Sequence, residues 1–176
     1  MAAKKRLFFG LTPEKEVHDQ LIKLSKSFPT VKGVRPVPND NLHLTLQFLG
    51  YLEANEHKCL EQKMLQTFVQ SFSLRFDLYG HFKSSQTLWL GCSTYPRELT
   101  RLVNHLKSIA ESCGTKTQDQ VFKPHVTLFK KVEKAEFPDV PFIVNWRARE
   151  FHLIESVPHE NTTRYNILMT HSFLNE

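Results

Sequence analysis

At 176 residues the chain has the length of one domain, or of two small lobes sharing a core. Its composition, 40% hydrophobic and 23% charged, excludes a fibrous or disordered class and reads as a soluble globular protein. The formal net charge of +5 favours anionic partners without identifying one; no basic block extends beyond Lys4-Lys5-Arg6 and no module reading a double helix is recognisable, so if the partner is a nucleic acid a small basic cleft is expected rather than a long stripe.

In chain order, Arg6 to Leu11 reads as a strand. Thr12-Pro13 then reads as an N-cap followed by proline at the first helical position, opening a helix with Val17, Leu21 and Leu24 on one face out to Phe28. Asn39-Asp40-Asn41 is a turn, and Leu42 to Leu49 is a strand ended by Gly50. Glu56 to Gln70 has the spacing of a second helix, with Leu60, Met64 (or Leu65) and Phe68 on its face. Ser73 to Phe82 and Thr87 to Cys92 form a strand pair around Ser84-Ser85-Gln86. Pro96 opens a third helix, whose Leu99, Leu102, Val103, Leu106 and Ile109 make one apolar face. A polar loop, Gly114 to Gln120, leads to a strand from Val126 to Lys131. A proline-marked loop precedes two last strands, about Arg149 to Val157 and Arg164 to Phe173. This order is not a regular βαβ alternation. It predicts an α+β protein with antiparallel sheets and helices outside, organised as a repeat of two halves.

No apolar run approaches the roughly 18 residues of a membrane span. The run Leu7 to Leu11 is shorter than the roughly 7–15 residues of a secretory signal core. A cytoplasmic protein without membrane attachment is expected. Cys59, Cys92 and Cys113 are odd in number, far apart and without CxxC spacing, so they read as buried reduced thiols. They supply no zinc ligand set.

Each half carries one conspicuous motif, His43-Leu44-Thr45-Leu46 and His125-Val126-Thr127-Leu128. With nine histidines in the chain, chance gives roughly 0.7 His-x-Thr triplets and about 0.1 followed by leucine, so two are improbable. Residues i and i+2 of a strand share a face. His43 with Thr45, and His125 with Thr127, therefore project together while the intervening residues turn to the core. If the halves are related by a pseudo-two-fold axis, the strands lie side by side and one cleft holds two imidazoles and two hydroxyls. One neutral and one protonated imidazole serve as base and acid, and the hydroxyls donate to phosphate oxygens. The set suits a metal-free phosphodiesterase. Two histidines could also join a zinc site, but no Asp, Glu or Cys lies close in either strand. The fourteen phenylalanines suggest base stacking at the cleft; Phe9, Phe48 and Phe129 lie nearest the motifs, without an assigned role. His81, His105, His152, His159 and His171 read as structural or surface residues.

These motifs resemble those of the 2H phosphoesterase superfamily, and more closely the bacterial RNA 2′,3′-cyclic phosphodiesterases, long called 2′-5′ RNA ligases. The resemblance includes Arg6-Leu7-Phe8-Phe9-Gly10, Arg35-Pro36-Val37, Asn41 to Gly50, Leu88-Trp89-Leu90-Gly91, Phe122 to Leu128, Phe151-His152-Leu153 and Arg164-Tyr165. It implies one domain over residues 1–176, built from two pseudo-symmetric lobes with the active cleft between them. It implies opening of a 2′,3′-cyclic phosphate at an RNA 3′ end to a 2′-phosphomonoester. Run with an RNA 5′ hydroxyl in place of water, the same two histidines are expected to give weak reversible 2′-5′ ligation; no cofactor and a monomer are expected. By the same resemblance His43 matches the proton donor, His125 the acceptor, and Thr45 and Thr127 the phosphate-binding hydroxyls. Lys130 (or Lys131) stands where many relatives carry arginine. By strict alternation Lys130 faces away from His125, and it reaches the cleft only if the strand twists or bulges. The other readings are a non-catalytic binder of RNA ends and a phosphodiesterase for a small cyclic nucleotide or nucleotide-sugar phosphate.

Overall fold

The structure is a computed structural model that describes residues 4–117, 121–160 and 162–174. Strand β1, Lys5–Leu11, leads to helix α1, Lys15–Ser25, then to the two-residue β2, Arg35–Pro36, and a single 3-10 turn, Asn39–Asn41. Strand β3, Leu44–Leu52, and helix α2, Ala54–Met64, complete the first half. Strands β4, Phe72–Phe76, β5, Leu78–Phe82, and β6, Thr87–Gly91, precede helix α3, Arg97–Ser112. Strands β7, His125–Lys130, β8, Val144–Ala148, β9, Glu150–His159, and β10, Thr162–Ser172, follow.

The main sheet runs β10-β9-β1-β3-β7-β6-β5, with neighbouring strands antiparallel. Its order is symmetric about the β3–β7 contact. The strand–helix–strand unit of β1, α1 and β3 on one side answers β6, α3 and β7 on the other. This is the two-lobed α+β arrangement expected from the two motifs. A second, two-stranded sheet pairs β4 with β8. The amphipathic face of α3 is buried as read, with Leu99, Leu102, Val103, Leu106 and Ile109 all in the core. Helix α3 packs on β3, α2 on α3, and α1 on β8.

Several expected boundaries move, each for a local reason. Helix α1 starts two residues late: Glu14 stands at its N-cap, and neither Thr12 nor Pro13 is helical. Thr12 instead bonds the imidazole of His152, Oγ1 to Nε2 2.8 Å. Gly50 does not end β3. It takes φ +78°, and the β1–β3 pairing slips there, with Leu7 opposite Gly50 and Phe8 opposite Phe48, so the strand bulges and continues to Leu52. Helix α2 is shorter than its spacing suggests. A capping box between Glu53 and Glu56 opens it, and it ends at Met64, leaving Leu65 and Phe68 exposed. The strand expected over Ser73 to Phe82 breaks at Asp77, whose carboxylate accepts from the Ser93 amide and hydroxyl at 2.8 and 2.7 Å. The break frees β4 to leave for β8, a strand whose V-N-W-R-A alternation was hidden among prolines. The polar loop from Gly114 is described to Thr117; its last residues lie outside the described residues.

The reading of three reduced thiols is overturned. Cys59 and Cys113 form a disulfide, because α2 lies against α3 and brings residues 54 apart in sequence to a Cα separation of 5.7 Å. Cys92 is free and buried, and burial pushes its thiol up to about 12. Among the described residues no helix is long and apolar enough to cross a membrane.

Candidate active site

His43 stands one residue ahead of β3, and His125 opens β7. The period-two reading holds in both places: Leu44, Leu46, Val126 and Leu128 are at most 2% exposed, whereas His43, Thr45, His125 and Thr127 are partly open to the cleft. Strands β3 and β7 pair antiparallel at Leu44 and Val126. One residue further in each direction, that register sets His43 across from Thr127 and Thr45 across from His125. Directly opposed residues of such a pair lie about 4.5–5.5 Å apart at Cα, so the four polar side chains form one compact quartet.

The imidazoles are held alike. His43 Nδ1 lies 2.6 Å from the Asn41 carbonyl, and His125 Nδ1 lies 2.7 Å from the Lys123 carbonyl. Each partner is two residues upstream in the chain. A carbonyl only accepts, so Nδ1–H donates at both sites and Nε2 carries the free lone pair. At His43 that lone pair accepts from the Thr45 hydroxyl at 2.9 Å. Two rings flank each imidazole. Phe8 and Tyr165 lie at 5.0 Å from His43, and Phe82 and Trp89 at 5.1 and 5.8 Å from His125. Phe8 on β1 and Trp89 on β6 occupy equivalent strands of the symmetric sheet. Trp89 is pinned by two close backbone approaches: a Cβ added at Gly80 or Gly91 would stand 2.1 or 2.6 Å from its ring.

Burial pushes the His43 imidazole down to about 4, and the positive charges of His125 and Lys130 add to that, against the opposing pull of the Asn41 carbonyl. His125 also lies below its usual value, from burial first; the hydrogen bond to the Lys123 carbonyl opposes this, and the Lys123 charge adds a smaller lowering. Both rings are therefore mainly neutral at pH 7 in the free protein.

Lys130 reaches the site through a bulge. Trp89 pairs with Thr127 but Leu88 with Phe129, so Leu128 is an extra residue on β7 and the alternation resets before Lys130. Lys130 lines a cavity of about 440 Å³ beside His43, together with Arg6, Lys116, Phe8, Phe48 and Tyr165. Of the phenylalanines nearest the motifs, Phe48 is 60% exposed in that cavity, Phe9 is fully buried, and Phe129 packs on Phe28. The remaining histidines have structural partners where these are described: His81 bonds the Val132 carbonyl, and His152 sits between Thr12 and Thr170. Sequence reasoning missed Phe8, Trp89, Phe82 and Tyr165 as the walls of the two imidazole sites. Phe8, Trp89 and Tyr165 lie in the patches of resemblance, but apolar rings default to the core. Among the described residues no group of three or more His, Cys, Asp or Glu is gathered as a metal would require.

A family model described as the 2′-5′ RNA ligase superfamily matches residues 13–158, a span containing both motifs. The chain belongs to that superfamily. It is 35% identical over 170 residues to the RNA 2′,3′-cyclic phosphodiesterase of Escherichia coli strain K12, covering 96% of each chain. Among solved structures, E. coli LigT in its apo form superposes with a TM-score of 0.90 at 32% identity, over 98% of this chain and 99% of that one. LigT complexed with 3′-AMP matches with a TM-score of 0.88 at 34% identity, over 97% and 98%. The superfamily's two-lobed fold is thus the fold of this chain, with the His-Thr quartet at the seam of the lobes.

Proposed function

We propose that the protein is an RNA 2′,3′-cyclic phosphodiesterase that opens a terminal 2′,3′-cyclic phosphate to a 2′-phosphomonoester by two-histidine acid–base catalysis. The observation that carries this reading is the register of β3 on β7, which gathers two carbonyl-oriented imidazoles and two hydroxyls at one seam. The substrate phosphate sits among the four side chains. His125 Nε2 takes a proton from water, whose oxygen forms the new bond to phosphorus. The bond from phosphorus to the 3′ oxygen breaks, and His43 gives that oxygen a proton. Thr45 and Thr127 donate to the non-bridging oxygens, and Lys130 adds positive charge. The family relatives named for this activity support the assignment.

His43 must carry a proton to act as the acid, yet in the free protein it is neutral. A bound phosphate anion reverses the balance, because an opposite charge within a few ångströms favours the imidazolium. Adding inorganic phosphate should therefore raise the pKa of His43 measured by NMR from about 4 towards neutrality. For the same reason the alkaline limb of kcat should lie at higher pH than that of kcat/KM, since kcat reports the bound enzyme. An unmoved His43 titration contradicts its role as acid.

The deciding assay incubates the protein with a short RNA ending in 2′,3′-cyclic phosphate, in EDTA, and identifies the terminal group. A 2′-phosphate supports the reading. A 3′-phosphate, or turnover only after Zn²⁺ or Mn²⁺ is restored, overturns it. Tight binding without turnover means a binder of RNA ends. If the 5′ hydroxyl of a second RNA replaces the water, the same proton transfers yield a 2′-5′ linkage, and water outcompetes it unless the ends are held together. Ligation is expected to be minor and restricted to pre-positioned ends. Mapping the junction checks this, because a 3′-5′ linkage does not come from this site. The protein is read as a cytoplasmic monomer. Alkylating thiols at cell lysis, and gel filtration, test those two points.

A further inference from the structure

We propose that Arg6 and Lys116 form a second phosphate subsite, one that reads the phosphate on the 5′ side of the terminal nucleotide. This rests on the reading of the catalytic site above. It makes the preferred substrate a nucleotide carrying a 5′ phosphate, not a bare nucleoside cyclic phosphate.

The position of the cavity carries the argument. In an in-line displacement the attacking and leaving oxygens stand on opposite sides of phosphorus. His125 serves the attacking water and His43 the departing 3′ oxygen, so the ribose and everything joined to it extend past His43. The cavity lies there: two of its walls, Phe8 and Tyr165, pack on the His43 ring. A third wall residue, Thr163, accepts through its carbonyl from the side-chain amide of Asn41, whose own carbonyl holds His43. At about 440 Å³ it is of the size that takes a small ligand.

Its charge is one-sided. Arg6 comes from β1, Lys130 from the end of β7 and Lys116 from the segment after α3, and among the described residues none of those lining the cavity is acidic. The neighbouring Lys4 and Lys5 are neutralised by Glu53 and Glu155. Arg6 instead donates to the Ser156 hydroxyl at 3.3 Å, and among the described residues no carboxylate pairs with Arg6, Lys116 or Lys130. Lys130 bears electrostatically on His43 and so belongs with the reacting phosphate. Two cations of the lining remain, Arg6 and Lys116, one of them a guanidinium whose fork suits phosphate oxygens.

Lys116 is held in place. The last turn of α3 closes through Thr115 N to Ala110 O at 3.0 Å, with Gly114 at φ +85°. Cys113, three residues before Lys116, is tied to α2 through Cys59. Thr117 donates to Glu111 at 2.6 Å.

The test compares adenosine 2′,3′-cyclic phosphate, the same compound with a 5′-phosphate, and the dinucleotide ApA ending in 2′,3′-cyclic phosphate. At least one of the two substrates with a 5′-side phosphate should exceed the bare nucleoside by roughly tenfold in kcat/KM. Equal gains assign the subsite to any 5′ phosphate; a gain confined to the dinucleotide assigns it to an RNA chain. Arg6→Gln and Lys116→Gln should each shrink that ratio, and the double variant should bring it close to one. A merely structural loss lowers all substrates together and leaves the ratio unchanged. Calorimetry with adenosine 2′-phosphate and adenosine 2′,5′-bisphosphate reads the same subsite without turnover, so it stands apart from the catalytic assignment. Equal Kd values for the two ligands, or a ratio that survives in the double variant, overturn the proposal.

Discussion

His43→Ala and His125→Ala should each lower kcat/KM by about 10²–10⁴-fold, the range for losing one positioned proton-transfer group. Each substitution removes an Nε2 whose direction is set by a main-chain carbonyl on the other side of the ring. The acid and the base act in the same transition state, so the double variant should cost less than the product of the two single losses. His43 also packs between Phe8 and Tyr165, and His125 against Phe82 and Trp89, so alanine leaves space beside those rings. His→Gln variants and thermal melts separate that loss from chemistry. Near-normal turnover by either folded single variant removes that histidine from the mechanism. The pH profile of the surviving activity is a second check: each single variant should lose one limb of the bell.

Thr45→Val and Thr127→Val should each cost about 2–4 kcal/mol of transition-state stabilisation if the hydroxyls are aimed at the phosphate oxygens. Valine keeps the β-branched shape on a strand, so the fold should persist. The two positions should differ in one respect. Thr45 donates to the neutral Nε2 of His43, and a hydrogen bond to the neutral form disfavours protonation. Thr45→Val should therefore raise the pKa of His43 in the free protein, whereas no such bond ties Thr127 to an imidazole among the described contacts. NMR titration of both variants, beside their kinetics, checks the assignment. Full activity in either folded variant makes that hydroxyl structural.

The quartet was legible because it is local twice over. A strand's two-residue period puts each histidine on the face of its own threonine, and Leu44, Leu46, Val126 and Leu128 mark the opposite face without knowledge of any partner strand. The same holds for α3, where 3.6-residue spacing alone separates core from solvent. Where spacing failed, a competing local bond had won: the Glu53–Glu56 capping box moved the start of α2, and Asp77 with Ser93 cut one expected strand into two. The bulge at Gly50 belongs with these, since a glycine able to adopt φ +78° permits a slip in register as well as a stop.

Other features depend on residues far apart in the chain. The pairing of Leu44 with Val126 turns two motifs into one site, and nothing in either motif states that register. The rings that bury His43 come from β1 and β10, and Lys130 faces the cleft only because β6 pairs with β7 out of step by one residue. Cys59 meets Cys113 through the packing of α2 on α3, and Arg6 from β1 and Lys116 from the segment after α3 come to line one cavity. By itself the sequence determined the α+β class, the two-fold repeat and the four polar side chains, because each follows from periodicity within a few residues. Only the tertiary structure decided the neutral state of the free His43, the disulfide and the cationic cavity. Burial, covalent pairing and field are sums over neighbours that folding alone brings together.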